Sequence, residues 1–146
     1  MDLSKYSNIS ENVQVSGQNI VPYILSLTEY FQENGVDVKP YPKVVLSKDS
    51  QYENDMFGKT AFYNPELQEI TLYTAGRHLR DVCRSYCHEM VHHSQFLRGD
   101  LNESVISKLS DPNYTQNDDN LRELEEEAYL QGNMLMRDWS DKIKSE

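Results

Sequence analysis

Residues 87–95 read Cys87-His88-Glu89-Met90-Val91-His92-His93-Ser94-Gln95, and the string HExxH runs from His88 to His92. Two histidines four apart on a helix are offset by about 40° around the axis and about 6 Å along it. Both imidazoles therefore leave the same side, where two ring nitrogens can converge on one ion at about 2.0–2.1 Å. Glu89, beside the first histidine, is then placed to project toward a metal-bound water rather than the metal. Zinc lowers the pKa of such a water to about 7, and a neighbouring carboxylate can take its proton as it attacks a carbonyl. By chance the string arises in on the order of one chain in a few hundred of this length, so its surroundings must carry the rest of the reading.

Those surroundings are helical. Leu79, Val82, Cys83, Tyr86, Met90 and Phe96 fall on one face at helical spacing, with no Pro or Gly from Arg77 to Arg98, and Arg98-Gly99-Asp100 is a stop signal. His78 stands at the start as a capping or loop residue. His93, about 100° around the axis from His92, reads as a surface histidine. Cys83 and Cys87 are four apart on the same helix, where a bond between them would be strained and free thiols fit best. A structural Cys/His site joining them to His88 is disfavoured, because ligands from one helix cannot surround a tetrahedral ion.

Upstream, Ile20, Tyr23, Ile24, Leu27 and Phe31 predict a helix over 19–33, ended by Glu33-Asn34-Gly35. Lys43–Ser47 reads as a short strand, and 61–63 with 70–73 as a hairpin. Residues 1–18 are polar and unpatterned, a mobile lead-in to one domain over 19–146. Downstream, a polar connection covers about 100–119. Asn120 and Glu123 then have the form of a capping box before a final helix bearing Leu121, Leu124, Ala128, Leu135 and Trp139, with Gly132 weakening its middle. Met134 and Met136 read as core filling in that helix. The fold class is α+β: a small, mostly antiparallel sheet, made of the short strand and the hairpin, packed against helices.

A catalytic zinc site needs a third protein ligand, and no third histidine follows at a suitable spacing. The glutamates of the last helix, Glu123, Glu125, Glu126 and Glu127, are the candidates; as an ordinary solvated face they would also suit a helix N-terminus. Glu125 adjoins the apolar face of Leu121, Leu124 and Ala128, Glu126 points away, and Glu123 and Glu127 lie to either side.

HExxH on one helix and a glutamate on the next resembles the gluzincins, a division of the zincin metallopeptidases. The likeness is closer to their minimal members, the minigluzincins, many of which read HExxHxxQ and later E-x-E-A-[D/N/Y]. This chain has His88 to Gln95, then Glu125-Glu126-Glu127-Ala128-Tyr129, and the resemblance spans roughly residues 60–139. It implies a zincin-like fold, His88, His92 and Glu125 as zinc ligands, Glu89 as general base, and peptide-bond hydrolysis. It also implies that Glu69–Tyr73 is an edge strand pairing with extended substrate. Larger gluzincins often carry an aspartate where Tyr129 stands, so the Tyr129 hydroxyl accepts a hydrogen bond from an imidazole or helps hold an oxyanion, or else the side chain packs in the core. Family members of this size occur in phages and bacteria, some within larger assemblies, and association with a virion is one expectation.

The bulk numbers narrow the partners. The 146 residues carry 24 acidic and 14 basic side chains, a net charge of −10, which repels a phosphate backbone. Nucleic acid is thus not an expected partner, and a DNA-repair protease of the Spartan type is disfavoured by the charge and the missing third histidine. By steering, the acidic surface favours a neutral or basic peptide or protein segment. No apolar run is long enough for a membrane span, and the first residues lack a secretion signal, so a cytoplasmic location is expected. The competing function is a binding or assembly module that keeps the fold without hydrolysis, against which the intact Glu89 argues.

Overall fold

The structure, a computed structural model, describes residues 13–14, 20–47, 60–101 and 119–145. Its elements in chain order are β1 (Val13–Gln14), α1 (Val21–Glu33), β2 (Lys43–Ser47), β3 (Ala61–Asn64), β4 (Glu69–Tyr73), α2 (Leu79–Leu97) and α3 (Asp119–Ser145). Apart from Val13 and Gln14, the segment expected as a mobile lead-in lies outside the described residues, as does most of the 100–119 connection.

The helix ends follow from their sequences. α1 carries Pro22 in its first turn, where no helical N–H is needed, and buries Ile24, Leu25, Leu27, Thr28 and Phe31. It stops where Gly35 adopts φ +81°, so that Gly35 N–H donates to the Gln32 carbonyl and Val36 N–H to Phe31 (3.0 Å). α2 stops the same way at Gly99 (φ +89°), with Asp100 N–H donating to Gln95. At its start His78 is the N-cap and its side chain accepts from Arg80 N–H at 3.1 Å, as the sequence implied. Asn120 lies inside the first turn of α3 and so does not cap it.

The sheet is mixed, with order β1-β2-β4-β3. β2 pairs in parallel with both β1 and β4, and only the β3–β4 hairpin is antiparallel. This corrects the expectation of a mostly antiparallel sheet, and also the placing of Glu69–Tyr73 at an edge. The reason lies in burial: Ile70, Thr71 and Leu72 of β4 are all buried, whereas every residue of β3 is half-buried. The strand with most to bury takes the inner position, where both backbone edges are paired, and the hairpin then brings it back parallel to β2.

One core joins sheet and helices. Val44, Leu46, Ile70 and Leu72 meet Ile24, Leu27 and Phe31 of α1, Val82, Tyr86 and Met90 of α2, and Leu135 and Trp139 of α3. Thr28 Oγ1 gives its proton to the Ile24 carbonyl (2.8 Å), so the buried Tyr86 hydroxyl at 2.6 Å must be the donor to Thr28. Trp139 Nε1 donates to Ser26 Oγ at 2.9 Å, tying α3 to α1. Met136 is in the core, but Met134 is 55% exposed, contrary to expectation, because it lies on the outer face of α3. Arg77 fixes the entry to α2, donating to the Thr60 and Tyr73 carbonyls and to Asp81 O and Ser85 Oγ.

α2 and α3 run antiparallel: Gln95 meets Leu124, His88 meets Gly132, and Arg80 meets Ser140. A Cβ on Gly132 would stand 3.2 Å from His88 Cα and N and 3.3 Å from Cys87 C. The glycine that weakened the sequence reading of this helix is thus a point of close backbone approach between the helices.

Candidate metal centre

His88 and His92 leave α2 on the side facing α3, and Glu125 reaches toward them from α3. One ligand atom from each lies within 4.8 Å of the others, a His-His-Glu group able to hold a metal ion. Glu125 Oε1 stands 2.7 Å from His92 Nε2, and Oε2 stands 3.6 Å from His88 Nε2. Four tetrahedral ligands about 2.05 Å from a zinc ion would be about 3.4 Å apart, so these two spacings straddle what a small divalent ion requires. The rings of His88 and His92 are nearly perpendicular, 4.9 Å between centroids.

Gln95 decides how His92 is held. Its Nε2 donates to the Leu124 carbonyl and to Glu127 Oε1, both at 2.8 Å. Those two acceptors fix the amide orientation, so Gln95 Oε1, 2.8 Å from His92 Nδ1, accepts the Nδ1 proton. Nε2 is thereby the nitrogen directed at the ligand group. Such an outer partner sets the tautomer and ring angle of a metal-binding histidine. Gln95 is fully buried, and Glu127 is also paired with Arg98.

The electrostatics match the geometry. Burial alone would lower the His92 pKa, but the hydrogen bond with Glu125, the charges of Glu89 and Glu125 and the bond to Gln95 outweigh it and hold it above the ordinary value. Burial would raise Glu125, yet its bonds to His88 and His92 hold the carboxyl far below the usual range. Glu89 is 9% exposed, and its charge is felt at His92, which places it beside the ligand group.

Every predicted ligand is therefore at one point, with Glu89 next to them. Of the other acids, Glu123 and Glu126 are exposed and Glu127 is turned to Gln95 and Arg98. Cys83 and Cys87 are free, buried thiols, and burial pushes Cys83 up to about 11. Among the described residues neither belongs to a metal-binding group.

Two side chains depart from expectation. His93 is fully buried rather than on the surface. Its Nε2 must donate to the Pro40 carbonyl (2.7 Å), so Nδ1 accepts from the Tyr63 hydroxyl (2.7 Å), and the ring ties α2 to β3 and to the 34–42 loop. Burial keeps its pKa below the ordinary value despite its bonds to the Pro40 and Val38 carbonyls. Tyr129 is 64% exposed, so it is not core, and among the described residues it bonds neither imidazole. One turn beyond Glu125, it lies instead on a groove shared with Arg80 and Arg84.

No helix among the described residues is long and apolar enough to cross a membrane. The chain matches no protein-family model, no curated protein and no solved structure.

Proposed function

We propose that the protein is a zinc-dependent metallopeptidase, with His88, His92 and Glu125 holding the ion and Glu89 as general base. The observation that carries this reading is the meeting of three ligand atoms from two helices with a nearly buried carboxylate beside them. A His/His/carboxylate set with an open position suits zinc. When bound, zinc supplies a Lewis acid and a water of pKa about 7. Glu89 takes the proton from the attacking water and returns it to the departing amine. Gln95 holds the His92 ring so that Nε2 stays aimed, and Glu125 links the two helices at the ion.

The substrate is a peptide or protein segment. Among the described residues β3 ends the sheet, in antiparallel register with β4 from Ala61↔Leu72 to Asn64↔Glu69, and Tyr63 connects it to α2. An extended peptide added along β3 would run beside the ligand helix. This moves the substrate-pairing role expected of Glu69–Tyr73 to the neighbouring strand.

Metal analysis together with cleavage of an internally quenched peptide library tests the proposal. One zinc per chain is expected, with hydrolysis by the wild type. Glu89→Gln should keep the metal and lose about 10²–10⁴-fold in rate. Absence of stoichiometric metal, or undiminished cleavage by E89Q, refutes it. A chain that binds zinc without cleaving any peptide would be the binding or assembly module instead.

A further inference from the structure

Beside the ligand group, on the side away from Gln95, α2 and α3 enclose a groove of about 510 Å³. That volume lies within the usual range for ligand sites, roughly 300–1,000 Å³. It lies next along the same two helices from the proposed centre: Arg84 is one turn before His88 and Tyr129 one turn after Glu125, each about 6 Å along its helix.

The lining reverses the charge of the molecule. In a chain of net charge −10, the groove presents Arg80 and Arg84 on one wall and Arg137 on the other, against a single lining acid, Asp141. Arg80 is placed by a neutral partner, Ser140 Oγ at 2.9 Å, so among the described residues no carboxylate neutralises it. Arg84 meets Asp81 at 2.9 Å, but both are half exposed and one contact leaves most of its five N–H donors available. Among the described residues, Arg137 pairs with its chain neighbour Asp138 alone, at 3.7 Å through Nε. Asn133 and Tyr129 add neutral polar groups to the lining. Screening confines each charge to about 8–10 Å, so the distant acids that repel an acidic peptide during approach do not cancel these cations once it is seated.

We infer that this groove is a carboxylate-binding subsite contiguous with the metal centre, and that the protein acts on peptides bearing acidic side chains to one side of the scissile bond. Guanidinium forks match carboxylates in pairs of N–H···O bonds, and three of them around one cavity suit consecutive acidic residues. A nucleic-acid strand longer than the groove would carry its phosphates past the screening length onto the acidic surface, whereas a short acidic segment keeps its charges beside the arginines, so acidic peptide is the occupant. The specificity deepens, and rests on, the peptidase reading; the groove as a binding site does not.

The test uses the E89Q protein and two capped, dye-labelled octapeptides, one with three consecutive glutamates and one with glutamines in their place. Fluorescence anisotropy is read with zinc and after chelation. One charge-assisted hydrogen bond corresponds to roughly tenfold in affinity, so the glutamate peptide should bind at least about tenfold more tightly. The preference should survive chelation, fall below about twofold in R80Q/R84Q, weaken in R137Q, and persist in K39Q/K43Q, which removes two charges elsewhere. Because the ion pair of Arg137 among the described residues is with its exposed chain neighbour, R137Q keeps the test decisive should the double variant melt early by circular dichroism. Equal binding of the two peptides refutes the inference. So does a preference lost on chelation, which would put the carboxylates on the ion, or lost equally in K39Q/K43Q. An acidic preference without hydrolysis by the wild type would sink the peptidase reading and leave the groove standing; hydrolysis without the preference would do the reverse.

Discussion

Replacing Gln95 by leucine removes one side chain and three hydrogen bonds, to His92 Nδ1, the Leu124 carbonyl and Glu127 Oε1. The Leu124 carbonyl still accepts the helical N–H of Ala128, and Glu127 keeps Arg98, so neither is left bare. His92 Nδ1–H loses its partner in a site only 12% exposed. A buried polar group left unpaired costs about 1–3 kcal/mol, and with the weaker losses at α3 the total is about 2–4 kcal/mol. Loss of an outer partner typically weakens metal binding by about 10–100-fold. Q95L should therefore show a lower urea midpoint in the chelated protein and a weaker zinc affinity in chelator competition. Gln95→Glu separates the two ends of the amide. It keeps an acceptor for His92 but sets a carboxylate against Glu127, so stability should fall as in Q95L while zinc affinity falls less. A Q95L protein with wild-type zinc affinity, within about 0.5 kcal/mol of wild-type stability, would refute the role assigned to this residue.

Tyr63→Phe leaves the fully buried His93 with an unpaired Nδ1, and urea unfolding should show a loss of about 1–3 kcal/mol with zinc affinity unchanged; unchanged stability would contradict the Tyr63–His93 hydrogen bond. In chelated protein, the Glu125–His92 pair should stabilise most between the ordinary values of the two groups, 4.5 and 6.5. The raised His92 contributes fully below 6.5 and loses its share as pH climbs through its folded value, while the depressed Glu125 contributes above 4.5 and loses its share on acidification. The stability gap between wild type and E125Q should accordingly be wider near pH 5.5 than near pH 9, and an equal gap at both would be the contrary result.

The site was legible where its geometry is local. The spacing of His88, Glu89 and His92 is a property of any helix, and the apolar face of Leu121, Leu124 and Ala128 marks which way Glu125 turns. Gln95 entered the reading only as the last letter of the HExxHxxQ likeness; it lies three residues after His92 on the same side of the helix, but its reach to Leu124 and Glu127 depends on packing against α3. What stayed hidden is set by distant partners. His93 is buried because Tyr63, thirty positions earlier, and Pro40, fifty-three earlier, meet it in space. The sheet order was hidden because a hairpin can join β2 through either strand. Ile70-Thr71-Leu72 reads as a half-buried alternation, while in the fold all three are covered. The 510 Å³ groove of arginines arises only when Arg80 and Arg84 face Arg137 across antiparallel helices, a pairing that no window of sequence contains.

The backbone contact at Gly132 makes the helix pair a lever with its fulcrum beside the first histidine. Glu125 sits two turns away, an arm of about 10 Å, so tilting α3 by 5° would swing its carboxylate by about 0.9 Å. Metal–ligand distances tolerate about 0.2 Å. The grip on the proposed ion would consequently be governed by how tightly a residue with no side chain seats against its neighbour, and a single added methyl there would alter selectivity between large and small cations without any ligand being changed.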